Sequence, residues 1–313
     1  MPSRCKFLAA VVPLGVALLA SACSLASASG SSASSASSGK IAVVGAENEY
    51  ASVLAQVGGK YVQVSAIMSN PATDPHTFEA SASVARLVSA AQLVVQNGAG
   101  YDRFMNTIED AAPSSSRKVI VVQNLLGLPA STPNPHLWYK PGTMPAVANA
   151  VAADLAALQP AHASYFKANA AAFTASLTAW DNAIATFKAQ YPLAPVATTE
   201  PVADYMLQAA GASNLTPFAF QADIMNGTDP SAQNVALERS LFTQHKVKVF
   251  LYNQQVTNSL TESFITLAHA NGIPVVGVYE TMPVPGFNYQ SWMLAEVQAL
   301  QKAVTSKIST EHL

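Results

Sequence analysis

Residues 145–190 contain no glycine and no run that reads as a strand, while on either side short apolar runs alternate with helical patterns. This interruption constrains the fold more than any other feature. Before it, apolar runs at 41–46, 61–68, 92–97 and 118–122 alternate with helical patterns at 49–56, 83–91 and 101–111. After it, runs at 195–199, 247–252 and 273–279 alternate with helical patterns at 202–210, 231–245, 260–270 and 290–309. Strand–helix alternation predicts parallel sheets covered by helices. Within the interruption Pro160 is the one breaker, and Phe166, Ala170, Phe173, Leu177, Trp180, Ile184 and Phe187 then recur at steps of four and three. That spacing predicts one amphipathic helix of about 29 residues, roughly 44 Å long. The expected fold is therefore α/β: two βα lobes with parallel-type sheets joined by a single long rigid helix, with a cleft between the lobes. The expected bounds are 40–160 for the first lobe, 161–191 for the connecting helix and 192–313 for the second lobe.

The first 39 residues read as an address. Arg4 and Lys6 precede an apolar run over 7–20, too short to span a bilayer comfortably and suited to a secretory signal. Leu19-Ala20-Ser21-Ala22-Cys23 then resembles a lipobox, in which cleavage before the cysteine lets its sulfur carry a diacylglycerol. We expect a signal peptide over 1–22, lipidation at Cys23 and a slack Ser/Ala/Gly tether over 23–39. The chain would be exported and anchored to the outer (or periplasmic) face of the membrane, with no second span. The only other cysteine is Cys5, so the folded body holds no disulfide framework and no cysteine metal site. With 16 basic and 18 acidic residues the formal net charge is −2, which argues against a nucleic-acid partner because phosphate neutralisation needs a basic patch. Apolar residues make up 50%, ample for a core and against disorder.

Four residues follow strand runs, at the sheet edge where open α/β folds bind ligands. His76 lies in Asn70-Pro71-Ala72-Thr73-Asp74-Pro75-His76 and His136 in Pro133-Asn134-Pro135-His136. Each is stiffened by proline, and Asp74 could accept a hydrogen bond from the His76 ring. Glu200 ends the fifth run and opens a predicted helix, so helix capping is a competing explanation. Glu280 ends the last run with no long helical pattern at once behind it. Two imidazoles from one lobe and two carboxylates from the other suit a divalent zinc, manganese or iron ion. Four protein ligands close such a site to catalytic water, and the sequence has no His-Glu-x-x-His, Gly-x-Ser-x-Gly or P-loop pattern, so no enzyme activity is expected. Glu47 and Glu49 follow the first strand run and are lesser site candidates, read as first-turn helix acids, and Asp229 reads as part of a helix-capping turn.

Asp74-Pro75-His76-x-Phe78-Glu79, Asn97-Gly98, Asn134-Pro135-His136-Leu137-Trp138, the 161–190 helix, Glu200 and Gly272-Ile273-Pro274-Val275-Val276 together resemble the zinc/manganese solute-binding lipoproteins of bacterial ABC importers. The resemblance covers about residues 40–310 and implies a two-lobed monomeric receptor that passes its ion to a membrane permease and its ATPase. It implies His76, His136, Glu200 and Glu280 as metal ligands, with Asp223 and Asp229 as substitutes for the last. Glu200 stands where manganese members have Glu, and the loop before His136 has no His-rich insertion, which leans toward manganese. The Irving–Williams order favours zinc at an imidazole–carboxylate site, and we place zinc ahead. Two other readings compete: a receptor for an iron chelate or corrinoid, with Trp138, Tyr139 and Trp292 lining the cleft, and a secreted zinc hydrolase with Glu280 as general base.

Overall fold

The computed structural model describes residues 39–72, 78–283 and 285–313. Its first half runs β1 (Ile41–Glu47), α1 (Asn48–Gly58), β2 (Val62–Met68), α2 (Ala82–Ala90), β3 (Leu93–Gln96), α3 (Arg103–Ala111), β4 (Lys118–Val121) and α4 (Val122–Leu125). Three helices follow: α5 (Thr143–Leu158), α6 (Ala163–Ser176) and α7 (Thr178–Gln190). The second half runs β5 (Pro195–Thr198), α8 (Asp204–Ala209), β6 (Ser213–Asn214), α9 (Phe218–Met225), α10 (Ala232–Thr243), β7 (Val249–Asn253), α11 (Ser259–Ala270), β8 (Val275–Val278) and α12 (Tyr289–Ser306).

The β1 and β3 runs are buried almost throughout, as parallel strands covered on both faces must be. The two sheets have matching order, β2-β1-β3-β4 and β6-β5-β7-β8, and every pairing is parallel. In each the order reverses at the second gap, between β1 and β3 and between β5 and β7. Such reversal points open a crevice at the carboxyl ends of the strands. The two-residue β6 is too short to show as an apolar run and escapes the sequence reading.

The predicted 161–191 helix is two consecutive helices. Leu177 separates α6 from α7, and its N–H bonds to Thr174 three residues back. The flanking hydroxyls explain the break: Ser176 Oγ donates to the Phe173 carbonyl at 2.6 Å and Thr178 Oγ1 to the Ala175 carbonyl at 2.7 Å. Hydroxyls bonded back to helix carbonyls compete with the ladder and bend it. Leu177 itself stays in the right-handed helical region, so the apolar stripe continues across the break. All seven residues read from the spacing, Phe166 through Phe187, are buried.

That stripe belongs to a core, not to an isolated strut. One hydrophobic cluster runs from Ile41 and Val43 through Trp138, Phe173 and Trp180 to Trp292 and Ala303. A smaller cluster around Phe220, Phe242 and Phe264 fills the far side of the second sheet. Helices α11 and α12 each start in a capping box, Asn258 with Thr261 and Asn288 with Ser291, which fixes their first turns.

The chain end completes the second sheet. Gly277 N donates to Thr310 O at 2.8 Å and Thr310 N to Val275 O at 2.9 Å. A Cβ on Gly277 would collide with the Glu311 carbonyl and come within 2.7 Å of Gln254 Nε2. Gly277→Ala is therefore expected to lower stability by about 1–3 kcal/mol, as overpacking does. Urea denaturation measures the loss, and accelerated amide exchange at Thr310 locates it.

Candidate metal centre

The residues at the two reversal points are polar and buried. The first lobe presents Glu47 at the end of β1, Asn48-Glu49 at the start of α1 and Asn97 after β3; the second presents Thr199-Glu200 after β5 and Asn253 at the end of β7. Glu280 follows β8. Among the predicted ligands, His136 and Glu280 are 0% exposed and Glu200 is 2% exposed. His76, Asp74 and Cys23 lie outside the described residues.

His136 is reached from β4 through α4 and a proline-bearing loop held from both lobes. Asn97 Nδ2 donates to the Pro135 carbonyl at 2.8 Å, and Tyr205 Oη donates to the Asn134 carbonyl at 3.0 Å. The Asn134 amide nitrogen donates to the Pro201 carbonyl at 2.7 Å, so its Oδ1 must be the acceptor. That Oδ1 receives the His136 backbone N–H at 3.0 Å and lies 2.8 Å from His136 Nδ1. The proton therefore sits on Nδ1, and Nε2 is the atom presented to the centre. A second group fixing the tautomer and ring plane is the usual support of a metal-ligating histidine. Tyr101 and Trp138 meet the ring edge-on, with centroids 5.9 and 5.3 Å away.

His136 Nε2 lies 3.2 Å from Glu280 Oε2. Tyr101 Oη donates to the same oxygen at 2.9 Å. Asn253 Nδ2 donates to Glu280 Oε1 at 2.7 Å and to Glu200 Oε1 at 3.0 Å, so one amide holds both carboxylates. Its own Oδ1 accepts from Gln255 N at 3.0 Å, which prevents the amide from flipping. Gln255 Oε1 in turn accepts from Glu280 N and Thr281 N, both at 2.7 Å. Among the described residues no three His, Cys, Asp or Glu side chains enclose an ion. His136 and Glu280 meet directly, and Glu200 joins them through Asn253.

Two sequence readings change here and one is refined. Glu200 does not cap a helix: it lies in a bend, and α8 starts only at Asp204. Glu47 is the N-cap of α1 and Glu49 stands in its first turn, as read, but neither is solvated. They are 2% and 0% exposed, and none of their carboxyl oxygens has a hydrogen-bond partner among the described residues. Burial, first of all, holds both pKa values well above the ordinary carboxyl range; Asp102 and Glu49 add repulsion at Glu47, and Glu280 and Asp102 at Glu49. Asp102 itself is raised to about 6 by burial, against the backbone N–H groups of Gly98 and Asn97 that it accepts. Finally, Trp138, Tyr139 and Trp292 do not line an open cleft. All three are fully buried, with Tyr139 Oη bonded to the Tyr279 carbonyl and to Glu296.

Asp229 is exposed in the turn before α10, where Ser231 is the capping residue. Asp223 is bonded by Thr228 on the same surface. Asn48, Tyr101, Asn253 and Gln255 were not singled out from the sequence, and Asn134 stood in the Pro-His motif without a role of its own. The available signal was position: Asn253 and Gln255 directly follow a buried apolar run.

Two α/β lobes of matching strand order thus bring a histidine and two carboxylates together at their carboxyl edges. Residues 43–303 match the family described as ZnuA, zinc-uptake complex component A, periplasmic. The chain belongs to that family. A relative in Treponema pallidum (strain Nichols), described as metal-binding, is 27% identical over 194 residues; the match covers 56% of this chain and spans 59% of that relative. Among solved structures, the periplasmic zinc-binding protein TroA from Treponema pallidum aligns with a TM-score of 0.72 at 18% identity, covering 87% of this chain and 100% of that one. FpvC from Pseudomonas aeruginosa in complex with Mn²⁺ aligns with a TM-score of 0.70 at 19% identity, covering 86% and 99%. At these identities the solved structures establish a shared fold. No described helix is long and apolar enough to cross a membrane.

Proposed function

We propose that the protein is a receptor, not an enzyme, which captures one divalent transition-metal ion outside the cytoplasm and delivers it to an ABC permease driven by its ATPase. His76, His136, Glu200 and Glu280 are the ligands, and Asp74 steadies His76. The protein acts as a monomer tethered to the membrane through lipid on Cys23. The observation that carries this reading is the buried His136–Glu280 pair, with Nε2 presented by a tautomer that Asn134 fixes. Asn253 ties both carboxylates to one amide, which lowers the reorganisation that binding requires.

TroA is described as zinc-binding and FpvC holds Mn²⁺, so the donors of this chain decide the cargo. An imidazole–carboxylate set binds zinc more tightly than manganese, and zinc is the proposed cargo. The test is competitive loading. Protein stripped with chelator is offered equimolar Zn²⁺, Mn²⁺ and Fe²⁺, and its metal content is counted by mass spectrometry. One equivalent of zinc is expected. Manganese in its place would change the cargo, and no retained metal would overturn the receptor reading.

A further inference from the structure

Asn48 stands at the first position of α1, one residue past the N-cap Glu47, and the N-terminus of α1 has no side-chain cap. The Asn48 amide instead reaches the segment after β8. Its Nδ2 donates to the Met282 carbonyl at 2.9 Å, and its Oδ1 accepts from Met282 N at 3.0 Å. Both bonds are buried, and they pair one side-chain amide with one backbone residue as a neighbouring strand would.

Met282 lies two residues beyond Glu280. From within its own lobe this segment is fixed by Gln255 on Glu280 N and Thr281 N. From the first lobe, Asn48 gives it the backbone anchor at Met282. The Glu280 segment is thus clamped from both sides, and the lobes cannot separate there without breaking the Asn48 pair or moving Glu280.

We propose that Asn48 is a cross-lobe positioning residue which holds Glu280 on the metal and sets the rate at which the ion leaves. This inference rests on the receptor reading above, with Glu280 as a ligand. It assigns the latch to one amide rather than to interlobe contact in general. The remote pair Gln56–Gln290 provides the comparison: Gln56 lies on the same helix, and its amide exchanges hydrogen bonds with Gln290 on α12 at 3.1 and 2.7 Å.

The experiment measures zinc association and chelator-driven dissociation by stopped flow for wild type, Asn48→Ala and Gln56→Ala. Asn48→Ala should raise the off-rate about 10–100-fold, the range typical of residues that orient a ligand, and change the on-rate less than about threefold, as for most variants of one binding surface. Gln56→Ala should leave both rates within about twofold. Amide exchange adds a readout that general loosening would not give: Met282 N–H should exchange faster in Asn48→Ala while Thr281 N–H, held by Gln255, stays protected. If Asn48→Ala does not fold, Asn48→Ser serves in its place. An unchanged off-rate in a folded variant, a loss carried by the on-rate, or an equal effect from Gln56→Ala overturns the latch. Wild-type protein that binds no zinc overturns the receptor reading instead, and shows this before any variant is made.

Discussion

Replacing His136 by alanine should lower metal affinity by about two orders of magnitude. Four-ligand zinc sites bind with about 10–16 kcal/mol, so one ligand's share is about 3 kcal/mol, or roughly a hundredfold in affinity. His136 is wholly buried, so no solvent-exposed side chain can swing in to replace it, which pushes the loss toward the upper end. Its removal also takes a partner from Glu280 Oε2, a cost that falls on folding stability rather than on affinity. Asn134→Ala tests the same logic one shell out. It leaves the imidazole in place but releases Nδ1, and should weaken binding about 10–100-fold. Competition against a chromophoric chelator measures both. A His136→Ala affinity within about threefold of wild type would remove His136 from the ligand set, because so small a change is ordinary for a bystander.

Much of the fold was legible because its signals are local. Parallel strands buried on both faces appear as unbroken apolar runs, and β1, β3, β5 and β7 lie close to where those runs fall. The stripe from Phe166 to Phe187 gave the buried face of the central helices correctly. The break at Leu177 was not legible, because Ser176 and Thr178 interrupt a helix only through the rotamers that turn their hydroxyls back onto carbonyls. Nor could spacing distinguish a strut from a core helix. That depends on Trp180 and Phe173 meeting Tyr289 of α12, more than a hundred residues away.

The centre divides the same way. That His136, Glu200 and Glu280 would come together was legible from residue type and from their position after strand runs. The amides that orient them were not, because Asn and Gln are commonplace in loops. Their roles exist only once β7, β8 and the Pro-His loop are assembled. The burial of Glu47 and Glu49 was not legible for a related reason. Acids at a helix start are usually solvated and favoured by the helix dipole, and only the packed lobe interface reveals that these two are buried.

Glu238 provides the other large effect, in stability rather than binding. It lies on α10 with 0% exposure, accepts one hydrogen bond from Thr216 Oγ1 at 3.2 Å, and has no partner on Oε2 among the described residues. Burial raises its pKa to about 8, against the lowering effect of the Thr216 bond. The unfolded chain releases this proton near the ordinary value of 4.5. Below that pH both states hold the proton and the group's contribution is fully present. Between 4.5 and about 8 only the folded state holds it, so stability falls by about 1.4 kcal/mol per pH unit. By pH 7.5 the loss reaches about 4 kcal/mol as an upper bound, and above the folded pKa it levels off. Glu238→Gln replaces the neutral acid with a group that cannot ionise. The variant should match wild type near pH 4.5 and exceed it by about 2–4 kcal/mol at pH 7.5, the margin shrinking if water reaches the ionised group. Glu296, raised to about 8 by burial against the hydrogen bonds from Trp292 Nε1 and Tyr139 Oη, should behave the same way under Glu296→Gln. Urea denaturation at pH 4.5, 6 and 7.5 gives the slopes. Parallel stability curves for wild type and Glu238→Gln would mean that Glu238 ionises in the folded protein with a pKa near that of the unfolded chain, and that its buried carboxylate is stabilised by solvent or a partner it does not have here.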